Sequence, residues 1–114
     1  MHIHTYGKIA EYFVMVKYFL SGYVPIRHRW KTKAGEIDII FKRGKSIIFC
    51  EVKARSTDFP LERYVSQNQQ NRLARAMEYF MSLNSRMKIE DVRFDLAIVK
   101  NPVDIKIYKN WLQY

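Results

Sequence analysis

At 114 residues, with 48% hydrophobic and 15% aromatic content, the chain is sized and composed for one folded domain, and its composition excludes a disordered tail. Twenty Lys and Arg against eleven Asp and Glu leave a net charge of +9, which calls for a polyanionic partner, nucleic acid first and an anionic membrane surface second. The single cysteine, Cys50, excludes an internal disulfide and a cysteine-based zinc cluster.

Residues 1 to 8 lack a basic start leading into a hydrophobic core, so no secretory signal is expected, and a reducing cytoplasm fits the lone thiol. Residues 5 to 21 read as a helix. Ile9, Phe13, Val16 and Leu20 recur at helical spacing as its buried stripe, Thr5 is placed to cap the start, and Gly22 ends it. Ile9 to Leu20 is broken by Glu11 and Lys17 and is too short to span a bilayer, so no membrane insertion is expected. Glu11 falls roughly opposite Ile9 at about 100° per residue, which leaves it in solvent or turns it toward the hairpin that follows.

Tyr23 to Trp30 reads as the first strand, with Pro25 placing its start at a sheet edge. Arg27, His28, Arg29, Lys31 and Lys33 form a basic run interleaved with Trp30, supplying cations for phosphates and an aromatic plane for a base. The same run equally suits a solvated face with a buried tryptophan. No second histidine stands at ligand spacing, so His28 reads as a phosphate contact or surface residue rather than a metal ligand.

Residues 35 to 55 carry the densest pattern. Ile39 to Phe41 and Ile47 to Cys50 are apolar, β-branched and aromatic runs separated by polar residues, which predicts a β-hairpin with Gly44-Lys45 as its two-residue turn. Such a turn pairs Arg43 with Ser46, and counting back along both strands puts Asp38 across from Glu51. Alternation then sets Glu36 with Asp38, and Lys53 with Glu51, on one side of the sheet. Like charges directly opposite destabilise a strand pair, so the arrangement asks for a positive group between them, of which a divalent cation is the simplest. The alternative is the solvated face of an exposed hairpin, with Lys53 pairing a carboxylate. Ile47 to Cys50 is apolar on both faces, as a central strand is, and this favours the site.

Ser56 to Ser66 is polar and reads as a loop beside that site. Gln67 to Leu83 is a second helix with Leu73, Ala76, Met77 and Phe80 inward, while Arg72 and Arg75 fall away from that stripe toward the backbone of a bound strand. Asn84-Ser85 closes the helix. Strands near Arg93 to Val99 and Ile105 to Tyr108 complete an α/β domain, a mixed central sheet flanked by helices.

Asp38 followed by Glu51-Val52-Lys53 resembles the metal-binding signature of the PD-(D/E)XK nuclease superfamily. The longer text, Gly35-Glu36-Ile37-Asp38-Ile39-Ile40 with Glu51-Val52-Lys53-Ala54-Arg55, is similar to the YraN-like bacterial proteins. Gly7-Lys8-Ile9-Ala10-Glu11 resembles that family's glycine-initiated helix carrying a glutamate, with Ala10 where a second glycine is usual, and Arg93-Phe94-Asp95 opens a strand in the same manner.

From about Gly7 to Val99, the resemblance implies an α-β-β-β-α-β restriction-endonuclease-like core and a metal-dependent, endonuclease-like hydrolysis of DNA phosphodiester bonds. It implies Asp38, Glu51 and the main-chain carbonyl of Val52 as ligands of Mg²⁺ or Mn²⁺. Lys53 would orient the attacking water or stabilise the transition state, with Glu36 and Glu11 as further members of the catalytic set. Gln69 stands about where many YraN-like chains carry a lysine. It joins Arg27, Arg29, Lys31, Lys33, Arg55, Arg72 and Arg75 as the candidate nucleic-acid contacts. Two other readings stand beside this one. One is a non-catalytic nucleic-acid binding module of the same fold; the other is a ribosome or anionic-membrane associated basic protein, which does not need Asp38, Glu51 and Lys53.

Overall fold

A computed structural model describes residues 3–55 and 64–112, with side chains from Tyr6 onward. Its elements run α1 (Ile3–Phe19), β1 (Val24–Lys31), β2 (Glu36–Arg43), β3 (Ser46–Ala54), α2 (Gln67–Leu83), β4 (Asp91–Asn101) and β5 (Asp104–Tyr108). The strands form one sheet in the order β1-β2-β3-β4-β5, parallel only between β3 and β4. A parallel pair needs a crossover, and α2 occupies it. This is the expected α-β-β-β-α-β core with one strand added. Residues 56–63, most of the expected loop, lie outside the described residues.

The β2–β3 hairpin follows from its turn. Gly44 has φ +59°, Arg43 pairs with Ser46, and the ladder continues unbroken to Ile39 with Cys50. β3 is buried from both sides: Ile47 and Phe49 join the layer under α2, whereas Ile48 and Cys50 join the layer under α1. Pro25 lies in an edge strand, where the hydrogen bond it cannot donate is not missed.

α2 matches its expected span. Ser66 caps it by accepting from the Gln69 N–H at 3.2 Å, and Leu73, Ala76, Met77 and Phe80 are buried against Ile37, Ile40, Phe49, Phe94 and Leu96. Each such aliphatic or aromatic side chain contributes about 1.5–3 kcal/mol on burial.

α1 departs from expectation in two ways. It begins at Ile3, so Thr5 lies within the helix and does not cap it. Its buried face is Ala10, Val14 and Tyr18, while Val16 is 59% and Leu20 81% exposed. The helix is apolar on most of its circumference, so the spacing fits more than one stripe. Packing decides between them: small Ala10 and Val14 approach the sheet, and Tyr18 reaches Asp95. The helix ends at Phe19 in a Schellman motif. Gly22, at φ +88°, donates to the Phe19 carbonyl, and Tyr23 donates to that of Tyr18.

Asp95 is fully buried in β4 and ties three elements together. It accepts the Tyr18 hydroxyl of α1 at 2.5 Å, the Arg93 Nε at 2.8 Å, and the Asn110 N–H beyond β5 at 3.0 Å. No helix among the described residues is long and apolar enough to cross a membrane.

Candidate functional site

Asp38 and Glu51 lie one step beyond the last paired residues of the β2–β3 ladder, Ile39 and Cys50. At that step the Val52 N–H donates to Asp38 Oδ2 at 2.8 Å, so a side chain takes over from the ladder and fixes the carboxylate. Strand alternation is broken at the same place: Ile37 and Ile40 both pack under α2, while Ile39 and Phe41 pack under α1. In β1, opposite Asp38, Arg29 stands at φ +55° between the regular pairs His28–Ile39 and Trp30–Ile37. A left-handed arginine costs about 1–2 kcal/mol, and its effect here is to turn the Arg29 side chain to the α1 side.

The result is a cleft between the sheet and the first turns of α2, lined by Gly35, Glu36, Asp38, Glu51, Gln69, Arg72 and Leu73. Glu51 is its buried acid, 4% exposed. Its Oε2 accepts from Gln69 Nε2 at 2.6 Å and lies 3.4 Å from Lys53 Nζ. Its Oε1 is buried with no hydrogen-bond partner. Burial pushes the Glu51 carboxyl well above the usual carboxylate range, and the Asp38 charge pushes it further, against the pull of Lys53.

A buried acid with an unsatisfied oxygen beside a second acid is the environment a hard divalent cation stabilises. Among the described residues no group of three or more His, Cys, Asp or Glu side chains is placed to hold a metal. The donors this cleft could offer a cation are the Asp38 and Glu51 carboxylates, completed by main chain or water. That suits Mg²⁺, which keeps several waters and takes one or two carboxylates.

The remaining site residues separate into groups. Glu36 is exposed on the rim of the cleft, and Gln69 sits inside it as the donor that orients Glu51. Glu11 is 8% exposed and turned toward the sheet, accepting from Arg29 Nε at 3.1 Å and lying 2.6 Å from His28 Nε2. The hydrogen bond to Glu11 raises the Arg29 pKa above its usual value, and the Asp38 and Glu36 charges add to it. Arg29 thus links Glu11 electrostatically to the acidic cleft, and His28 is a partner of Glu11.

Arg72 lines the cleft and Arg75 is exposed on α2. Lys31 and Lys33 line an adjacent groove with Tyr79. The Arg27 and Arg55 guanidinium carbons lie 6.0 Å and 5.9 Å from the Phe80 and Tyr64 ring centres. Trp30 is half-buried against Phe80 and Tyr79, so the accessible aromatic ring of this region is Tyr79. No motif in the sequence singles out Tyr79; the one signal for it is its place on the Arg72–Arg75 flank of α2.

Residues 10–99 match the family model described as Uncharacterised protein family UPF0102. The chain is 34% identical over 93 residues to a UPF0102 protein of Maricaulis maris, covering 82% of this chain and 73% of that protein. It is 33% identical over 108 residues to one of Ruegeria pomeroyi, covering 94% and 87%. To one of Dictyoglomus turgidum it is 35% identical over 100 residues, covering 84% and 83%.

Proposed function

Because the chain belongs to the family described as Uncharacterised protein family UPF0102, whose matched segment spans the whole acidic cleft, we propose that it is a metal-dependent nuclease that binds nucleic acid, DNA first, and hydrolyses its phosphodiester bonds. The observation that carries this reading is Glu51: a buried carboxyl with one unpartnered oxygen, facing Asp38 and flanked by Lys53.

Asp38 and Glu51 would hold Mg²⁺ or Mn²⁺, with the Val52 carbonyl as the further ligand that the PD-(D/E)XK resemblance implies. When bound, such an ion supplies Lewis acidity toward a phosphate oxygen and an acidified water. The protein's own groups do the rest. Gln69 holds Glu51 Oε2, so the other oxygen is left to the cleft. The Val52 N–H holds Asp38. Lys53, half-buried beside Glu51, brings an ammonium to the phosphate, where a comparable lost donor costs about 2.7–4 kcal/mol of transition-state stabilisation. Glu36 on the rim is placed to accept a hydrogen bond from an incoming water. Glu11, bonded to Arg29 and beside His28, fixes the arginine on the α1 side of the sheet, within electrostatic reach of Asp38.

The test is incubation of the purified protein with linear, single-stranded, flapped and four-way DNA, with Mg²⁺ or Mn²⁺ and with chelator. Cleavage that requires the ion is expected. Glu51→Gln should weaken ion binding and cleavage while leaving DNA affinity equal or higher, because a negative charge facing phosphate has gone. Lys53→Ala should keep the ion and lower the rate about 10²–10³-fold. Absence of cleavage in every variant, with weaker DNA binding on loss of Lys53 and no metal dependence, makes the protein a binding module. Equal cleavage by wild type and both variants removes Asp38, Glu51 and Lys53 from the chemistry.

A further inference from the structure

A second feature adjoins the acidic cleft. Tyr79 on α2 is 49% exposed, and its ring lies 6.1 Å from that of Trp30 at an interplanar angle of 30°. Trp30 is braced from behind by Phe80, edge-on at 5.3 Å. Tyr79 forms one wall of an open groove of about 770 Å³ whose other walls are Lys31, Thr32, Lys33 and Ala34.

The turn that carries those lysines is fixed by its own hydrogen bonds. Thr32 Oγ1 accepts from the N–H groups of Ala34 at 3.0 Å and Gly35 at 3.1 Å, and donates to the Gly35 carbonyl at 2.9 Å. Gly35 joins the two sites, since it lines the acidic cleft and lies so near Arg72 that a Cβ there would meet the Arg72 Cβ at 3.4 Å. Arg72, Arg75 and Tyr79 are exposed and three to four residues apart, so they share one flank of α2. Gln69, which touches Glu51, precedes Tyr79 by about 15 Å along the helix at 1.5 Å per residue.

We propose that Tyr79, backed by Trp30 and flanked by Lys31, Lys33 and Arg75, is a stacking platform for an unpaired base a few nucleotides from the phosphate held at Asp38 and Glu51. The proposal rests on the nucleic-acid reading above and gives it a substrate class: strands with a single-stranded segment beside the cleaved bond. An exposed tyrosine ring stacks on any base, fixed cations hold the phosphates on either side, and a base within a duplex cannot offer its face.

The experiment measures binding in chelator, where no cleavage occurs, to a single-stranded oligonucleotide and to a blunt duplex of the same sequence. Tyr79→Leu keeps an apolar cover over Trp30 but removes the stacking ring; Tyr79→Phe keeps the ring. Tyr79→Leu should weaken single-strand binding about fivefold or more while duplex affinity stays unchanged, and Tyr79→Phe should bind as wild type does. Single-strand affinity unaffected by Tyr79→Leu, or lost equally with duplex affinity, overturns the platform while leaving the nuclease reading standing. Wild type that binds neither oligonucleotide overturns the nucleic-acid reading and the platform with it. Wild type that binds through Tyr79 but never cleaves supports the platform and removes only the hydrolysis.

Discussion

Glu51 is held between two opposing demands, burial that favours its protonated form and the proposed cation binding, which would need its charge. Its pKa in the folded chain is raised from the ordinary 4.5 by burial first and by Asp38 second. Between those two values the folded chain keeps a proton that the unfolded chain has released, so stability falls as pH rises through that window. A cation shared with Asp38, as proposed, would remove the reason for the shift. In chelator, the melting temperature of wild type should therefore decline relative to Glu51→Gln as the pH rises above the ordinary carboxylate range. Mg²⁺ should raise it more at the upper end of that window than at the lower, by mass action on the ionised state. A Mg²⁺ effect that is the same at both ends and survives in Glu51→Gln would put the ion elsewhere.

At the scale of elements, Asp95 does for the fold what Glu51 does for the site. It is a buried carboxylate, but every side of it is met by a donor from α1, β4 or the turn after β5. Asp95→Ala leaves the partly exposed Arg93 and the buried Tyr18 hydroxyl without their acceptor, and a buried donor left unsatisfied costs about 1–3 kcal/mol, more where the lost bond is to a charged group. Calorimetry should show a fall in melting temperature of roughly 10 °C or more, with a smaller fall for Tyr18→Phe, which leaves Arg93 in place. An Asp95→Ala variant that melts like wild type would show that α1 is held by its apolar face alone. What is legible in the sequence follows the same division between local and tertiary causes. The Gly44 turn and the alternation of β3 are local, and counting along them is enough to set Asp38 beside Glu51. The α1 face is not legible, because Tyr18 is drawn inward by Asp95, a residue 77 positions away in the chain. Nor is the left-handed Arg29 between two regular pairs, since nothing in Arg27 to Trp30 signals a break in the strand.

For the whole molecule, the +9 charge matters through where it is placed. Lys31, Lys33, Arg72 and Arg75 surround the acidic cleft and the Tyr79 groove, and Arg27 and Arg55 flank the same α2-side structures through Phe80 and Tyr64. Lys17, Arg43, Arg93 and Lys109 gather in a different groove around Tyr18 and Tyr23. There Arg43 is occupied by the Ser21 carbonyl at 3.0 Å and the Tyr23 ring, and Arg93 by Asp95. Nucleic acid seated on the first set alone releases counterions from about six phosphate contacts. Log affinity against log salt should then have a slope of about −5 for a duplex and about −4 for a single strand. Replacing Lys31 and Lys33 together by alanine should make the duplex slope shallower by about 2, while Lys109→Ala should leave it unchanged. A flat dependence in wild type would point to a partner other than nucleic acid. A slope that responds to Lys109 and ignores Lys31 and Lys33 would move the bound strand to the Tyr18–Tyr23 groove, away from the carboxylates, and binding there could not deliver a phosphate to Glu51.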